Sequence, residues 1–207
     1  MSCCRGACKG VRIMKIIGIT GTSGSGKGYV SDIIRSHGFT VIDADKVTHS
    51  LYEGGECVQK IAELFGDVID DNGAIDRKKL GAIVFNDREK LLLLQDTVYG
   101  YITSEIFSAV ENEKKKGASA VFLDAPQLFE AGIDKSCDFI ISVIADEAVR
   151  LSRIIKRDGI TEESARMRMK NQRSNDFFTE NSDFIIENNG DDVSEKVKEI
   201  IAGLKLI

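Results

Sequence analysis

The sequence predicts an α/β fold, a five-stranded parallel sheet flanked by helices. Three observations carry that prediction. Five short apolar runs rich in Ile, Val and Phe recur along the chain, and helical patterns separate them. The first run leads directly into a glycine-rich loop and an amphipathic segment. The second and third runs end in aspartate, at the strand ends where doubly wound sheets bind ligands.

Residues 1–13 ("MSCCRGACKGVRI") have no continuous apolar stretch and read as a disordered leader, with Met14 as an alternative start. "MKIIGIT" (14 to 20) is the first buried strand. The helix after the loop is expected from about Gly28 to Ser36, with Val30, Ile33 and Ile34 on one face. "FTVIDAD" (39 to 45) is the second strand, and its spacing of two puts Asp43 and Asp45 on the same face. From about 46 to 117 no strand pattern appears. "VQKIAELFG", "DRKKLGAIVF" and a long helical pattern from about Asp87 to Lys116 predict a helical insertion.

"SAVFLDAP" (119 to 126), "DFIISVIA" (138 to 145) and "DFIIEN" (183 to 188) are the remaining strands. "DEAVRLSRIIKRD" (146 to 158) and "DDVSEKVKEIIAGLK" (191 to 205) are amphipathic helices. This alternation implies parallel pairing through right-handed crossovers, and apolar strands imply a sheet covered on both faces.

The composition excludes several classes. A length of 207 residues suits one large domain or a core with an inserted subdomain. The net charge of −5 is a poor match for general nucleic-acid or membrane binding. No run of about 18 apolar residues is present, so no transmembrane helix is expected. Five cysteines, three of them within the first eight residues, do not form a disulfide framework and fit a reducing cytoplasm.

"GTSGSGK" (Gly21 to Lys27) satisfies G-x-x-x-x-G-K in the required strand–loop–helix context. Its glycines let successive N–H groups point inward at a phosphate, and the helix N-terminus adds its dipole. Lys27 brings a mobile positive charge to the β- and γ-phosphates. Where a Ser or Thr hydroxyl ordinarily meets Mg²⁺, the sequence has Gly28.

Beyond the loop, "VIDADKVTH", "GAIDRKKLGAIVFND", "LDAPQLFEAG", "KRDGITEESARMRMKNQ" and "SDFIIENNG" follow in the order seen in dephospho-coenzyme A kinases. The chain after residue 13 resembles that family. The resemblance implies a P-loop NTPase-type core at 14–45 and 118–207, a lid at about 150–176, and a CoA-binding helical subdomain at 46–117. It implies transfer of the γ-phosphoryl of ATP to the ribose 3′-hydroxyl of dephospho-CoA, with Mg²⁺, by a cytoplasmic monomer or small homo-oligomer. A kinase for another small acceptor, or a weakened ATP-binding protein, are the alternatives.

The roles carry over by position. The resemblance assigns ATP to Gly21, Thr22, Ser23, Gly24, Ser25, Gly26, Lys27, Gly28 and Tyr29, and the adenine loop to Asn188 and Gly190. Asp45 matches the general base, with a helix N-cap as its structural alternative. Asp43 could hold a metal-bound water or cap the turn. Asp124 matches the carboxylate that holds Mg²⁺, directly or through water. His49, Leu128 and Phe129 fall on the acceptor side. Arg150, Arg153 and Arg157 share a helical face, and Arg153 and Arg157 match catalytic lid arginines. Arg166 and Arg168 follow in a helix capped at Thr161, Gln172 completes the R-x-x-x-Q pattern from Arg168, and the resemblance assigns Arg168 and Gln172 to substrate binding. Departures from the family pattern are Gly28, Tyr99-Gly100 in place of His-Pro, and Gln127 in place of an apolar residue.

Overall fold

A computed structural model describes residues 14–206; the leader expected at 1–13 lies outside the described residues. Five parallel strands form one sheet in the order β2-β3-β1-β4-β5. They are β1 (Lys15–Gly21), β2 (Thr40–Asp43), β3 (Ala120–Asp124), β4 (Phe139–Ile144) and β5 (Phe184–Glu187). All five coincide with the apolar runs of the sequence.

Period-two alternation sorts the sheet's side chains into two cores. Val121 and Leu123 of β3 face one, while Ala120 and Phe122 face the other. On the second face lie α1 (Lys27–Ser36) and α9 (Ser194–Gly203), which pack Val30, Ile34, Val197 and Ile201 against Ile17 and Ile19 of β1. The first face is covered by the insertion, which folds as α2 (Ala44–Leu51), α3 (Glu56–Phe65), α4 (Arg77–Val84) and α5 (Arg88–Lys115).

At 1.5 Å per residue, the 28 residues of α5 run about 42 Å along that face. Leu94, Val98, Ile102, Ile106 and Val110 recur every four residues and bury one stripe of it. The helix passes unbroken through Tyr99 and Gly100, where a proline would remove a hydrogen bond and kink it. Asp87 starts α5 by accepting from the backbone of Glu89 and Lys90, and Asp76 does the same for α4. After β4 come α6 (Glu147–Asp158), α7 (Glu162–Lys170) and α8 (Asn175–Glu180). Thr161 caps α7, as the sequence suggested, by accepting from the Ser164 N–H.

The second strand is shorter than its apolar pattern. It ends at Asp43 because the Asp43 carboxylate accepts from the N–H groups of Asp45 and Lys46 and so starts α2. The two carboxylates therefore do not share a strand face: Asp43 is the cap, and Asp45 lies inside the helix.

Candidate active site

The loop between β1 and α1 is built to leave its amides unpaired. Gly26 precedes α1 in the left-handed region (φ 91°), and no side chain caps the helix. A Cβ at Gly26 would overlap the amide of Asn188, and one at Gly24 (φ 80°) would lie 2.7 Å from the Arg150 carbonyl oxygen. Among the described residues, the N–H groups of Gly24, Gly26, Lys27 and Gly28 have no hydrogen-bond partner. Unpaired amides at a helix start form an anion site.

Two arginines hold that geometry from behind. Arg150, buried, donates to the Ser23 carbonyl at 3.0 Å and to Gln172 Oε1 at 3.2 Å. Gln172 Oε1 also accepts from the Ser23 N–H at 3.1 Å. Burial pushes the Arg150 pKa down, and the Glu147 carboxylate opposes that shift. Arg153 donates to the carbonyls of Gly24 and Ser25 at 3.2 Å each and to that of Asn188 at 2.9 Å. Buried Asn188 closes the ring by donating to the Ser25 carbonyl at 2.8 Å. With carbonyls drawn outward onto guanidinium groups, the amides turn toward the open side.

At the end of β3, buried Asp124 pairs through Oδ1 with the Lys27 ammonium. Its Oδ2 accepts from the Ser31 hydroxyl at 2.6 Å. Gly28 faces open space, where a Cβ would meet nothing within 4 Å.

The loop opens onto a cavity of about 770 Å³. Its walls are Gly21, Thr22, Ser23, Gly24 and Gly26 of the loop with Lys27 and Gly28 at the start of α1; Asp45 and Thr48 of α2 with Tyr52 just after it; Leu94, Gln95, Val98, Tyr99 and Ile102 of α5; Pro126 and Gln127 after β3; and Arg153, Arg157, Arg168 and Gln172. The fold thus brings together Lys27, Asp45, Arg157 and Arg168 from sequence positions up to 141 residues apart (168 − 27). Crowding by protein atoms raises the Asp45 pKa; Lys27 pulls it down, and Asp43 and Asp124 push it further up. Arg157 and Arg168 both bind the carboxylate of Asp158.

A second cavity, about 480 Å³, shares Asp45, Thr48, Tyr52 and Leu94 with the first. His49, Arg77, Leu80, Val84, Phe85 and Leu91 add its walls, and Arg77 stacks on the Tyr52 ring at 5.4 Å.

Other sequence candidates sit elsewhere. Leu128 is wholly buried, with Phe129 stacked edge-on against Phe177 at 5.2 Å. Ser25, Tyr29, Asn188 and Gly190 line neither cavity, and Tyr29 donates to Asp192 at 3.4 Å. Arg166 pairs with Glu147 and Glu162 outside the main cavity. His49 is exposed and bonded to Glu53 at 3.1 Å. Thr48, Tyr52, Leu94 and Val98 line the cavity without having been singled out in the sequence. For Leu94 and Val98 the only signal was an apolar helical stripe, which reads equally as core, and Thr48 and Tyr52 carried no signal of their own.

Similarity to known proteins agrees with this geometry. The family model described as dephospho-CoA kinase matches residues 15–194. The dephospho-CoA kinase of Fusobacterium nucleatum is 42% identical over 186 residues, covering 88% of this chain and 95% of the relative. Among solved structures, the dephospho-CoA kinase of Campylobacter jejuni superimposes with a TM-score of 0.70 at 28% identity, covering 93% of this chain and 98% of that one. A Thermus thermophilus protein does so with a TM-score of 0.80 at 27% identity, covering 94% and 98%.

Proposed function

This chain belongs to the dephospho-CoA kinase family, and from that membership and the geometry of the cavity we propose that it phosphorylates the ribose 3′-hydroxyl of dephospho-CoA at the expense of ATP, giving CoA and ADP. The observation that carries the proposal is the meeting of Asp45, Lys27 and the unpaired loop amides on one cavity.

In this reading the amides of Gly24, Gly26, Lys27 and Gly28 cradle the ATP phosphates, and Lys27 leaves Asp124 to bind them. Asp45 accepts the proton of the 3′-hydroxyl as that oxygen attacks the γ-phosphorus, and the bond from phosphorus to the β,γ-bridging oxygen breaks. A raised pKa suits a base that must take up a proton. Arg157 and Arg168 supply donors to the equatorial oxygens without losing their protons. The second cavity, apolar and joined to the first beside Asp45, receives the acceptor's long arm.

Asp124 is the residue that would hold Mg²⁺. No cluster of three or more His, Cys, Asp or Glu forms a metal cage among the described residues. Mg²⁺ needs only one or two carboxylates beside phosphate oxygens and waters, and the open space at Gly28 has room for such a water. When bound, Mg²⁺ neutralises charge on the β- and γ-oxygens.

No helix among the described residues is long and apolar enough to cross a membrane. Free Cys57 and Cys137 fit a reducing cytoplasm. Incubation with ATP, Mg²⁺ and dephospho-CoA is expected to yield CoA and ADP in equal amounts. Absence of CoA, with ATP binding demonstrated, would overturn the reading.

A further inference from the structure

We propose that Tyr99 and Gln127 act as one unit that reads the base of the acceptor nucleotide, an inference that rests on the kinase reading above. Tyr99 lies on α5, and Gln127 follows β3. The Tyr99 hydroxyl donates to Gln127 Oε1 at 2.9 Å, and both side chains line the main cavity.

The cavity is divided by charge. Its cations, Lys27, Arg153, Arg157 and Arg168, come from the loop and from α6 and α7. The walls from α5 and the β3 exit offer Leu94, Gln95, Val98, Tyr99, Pro126 and Gln127, with no cation among them. Burial raises the Tyr99 pKa, and the nearby carboxylates of Glu130 and Asp96 raise it further. Phosphates therefore belong on one side, and a neutral group belongs on the other. Asp45, the base for the acceptor hydroxyl, is on α2 of the same insertion as Tyr99, which assigns this wall to the acceptor rather than to ATP.

The hydrogen-bond inventory specifies the neutral group. Tyr99 spends its single proton on Gln127 Oε1 and so fixes the plane of the amide. Among the described residues nothing accepts from the Gln127 amide nitrogen, and Oε1 keeps a second lone pair. An oriented amide with a free donor and a free acceptor matches the edge of adenine, which offers a ring nitrogen beside an exocyclic amine. An apolar residue at position 127 would lack both groups.

Steady-state kinetics and calorimetry on the full chain test the proposal. Gln127→Leu is expected to raise KM and Kd for dephospho-CoA about tenfold or more, with KM for ATP within about twofold. Tyr99→Phe should give a smaller rise, and the double variant should be no worse than Gln127→Leu alone. The parent should bind dephospho-CoA about tenfold more tightly than an analogue carrying hypoxanthine in place of adenine, and Gln127→Leu should lose that preference. Unchanged acceptor affinity in a Gln127→Leu protein that melts like the parent would overturn the proposal. So would a shift in ATP affinity instead, or an equal base preference in both proteins. Calorimetric binding needs no turnover, so failure of phosphoryl transfer in the parent would register separately from failure of the pair.

Discussion

The hydroxyl of Ser31 donates to Oδ2 of Asp124 at 2.6 Å, one helical turn beyond Gly28. Ser31 is fully buried, and its partner carboxylate is shared with Lys27. A hydroxyl thus orients Asp124 although position 28 has none. Ser31→Ala is expected to destabilise the fold by about 1–3 kcal/mol, because one oxygen of a buried carboxylate loses its donor. Gly28→Ser should stabilise α1 slightly and raise turnover at limiting Mg²⁺, since the added Cβ meets nothing. Melting curves and Mg²⁺ titrations check both; unchanged metal dependence in Gly28→Ser would show that a hydroxyl at position 28 is not needed.

Lys27→Met removes the cation from Asp124 and from the phosphate site together. Turnover should fall by about 10³-fold or more. Stability should also drop, by about 3 kcal/mol, because the Asp124 carboxylate is left buried without its partner. Adding Asp124→Asn should recover part of the melting temperature and none of the activity. A Lys27→Met protein as stable as its parent would show that the ion pair contributes nothing to the fold.

Asp45→Asn separates catalysis from stability. The parent's kcat/KM should fall as pH drops through the raised Asp45 pKa, whereas the variant should be slower by about 10²–10⁴ and lack that limb. The stability effect has the opposite sign. A raised carboxyl pKa means that the folded state favours the protonated form, so Asp45 supports folding below the ordinary value of 3.8 and that support is lost as pH rises through the raised value. Asp45→Asn should therefore melt above the parent at pH 7, and the gap should close below pH 3.8. Thermal melts across that range are the check.

Arg153→Lys tests the brace behind the loop. The guanidinium reaches carbonyls of Gly24, Ser25 and Asn188 at once, and a single ammonium cannot reproduce that fork. The expected result is a loss of about 2–3 kcal/mol in stability and a rise in KM for ATP that exceeds any change in kcat. A pure kcat defect would instead place Arg153 among the groups that touch the transferring phosphoryl.

Local chemistry made much of the fold legible. Ile- and Val-rich runs of four to seven residues became strands. The four-residue spacing of Leu94 to Val110 became one buried helical stripe. Asp43 and Asp45 were harder to separate, because both a strand edge and a helix start accommodate aspartate; the cap bonds to Asp45 and Lys46 decide it. The arginines were harder still. Spacing places Arg150, Arg153 and Arg157 on one face of α6, yet it does not say what that face meets. In the fold the first two meet loop carbonyls, and the second and third line the cavity.

The sequence by itself determined the α/β class, the phosphate loop, the family and the aspartates that end the second and third strands, because each depends on residues close together in the chain. Tertiary structure alone decided which groups meet. Tyr99 and Gln127 are 28 positions apart, Lys27 and Asp124 are 97, and Arg153 and Gly24 are 129. Those contacts exist because the parallel sheet places β1 between β3 and β4, which brings Asp124 and α6 to the loop, and because the insertion folds back over one face of the sheet. No local pattern encodes a neighbour that the crossover brings in.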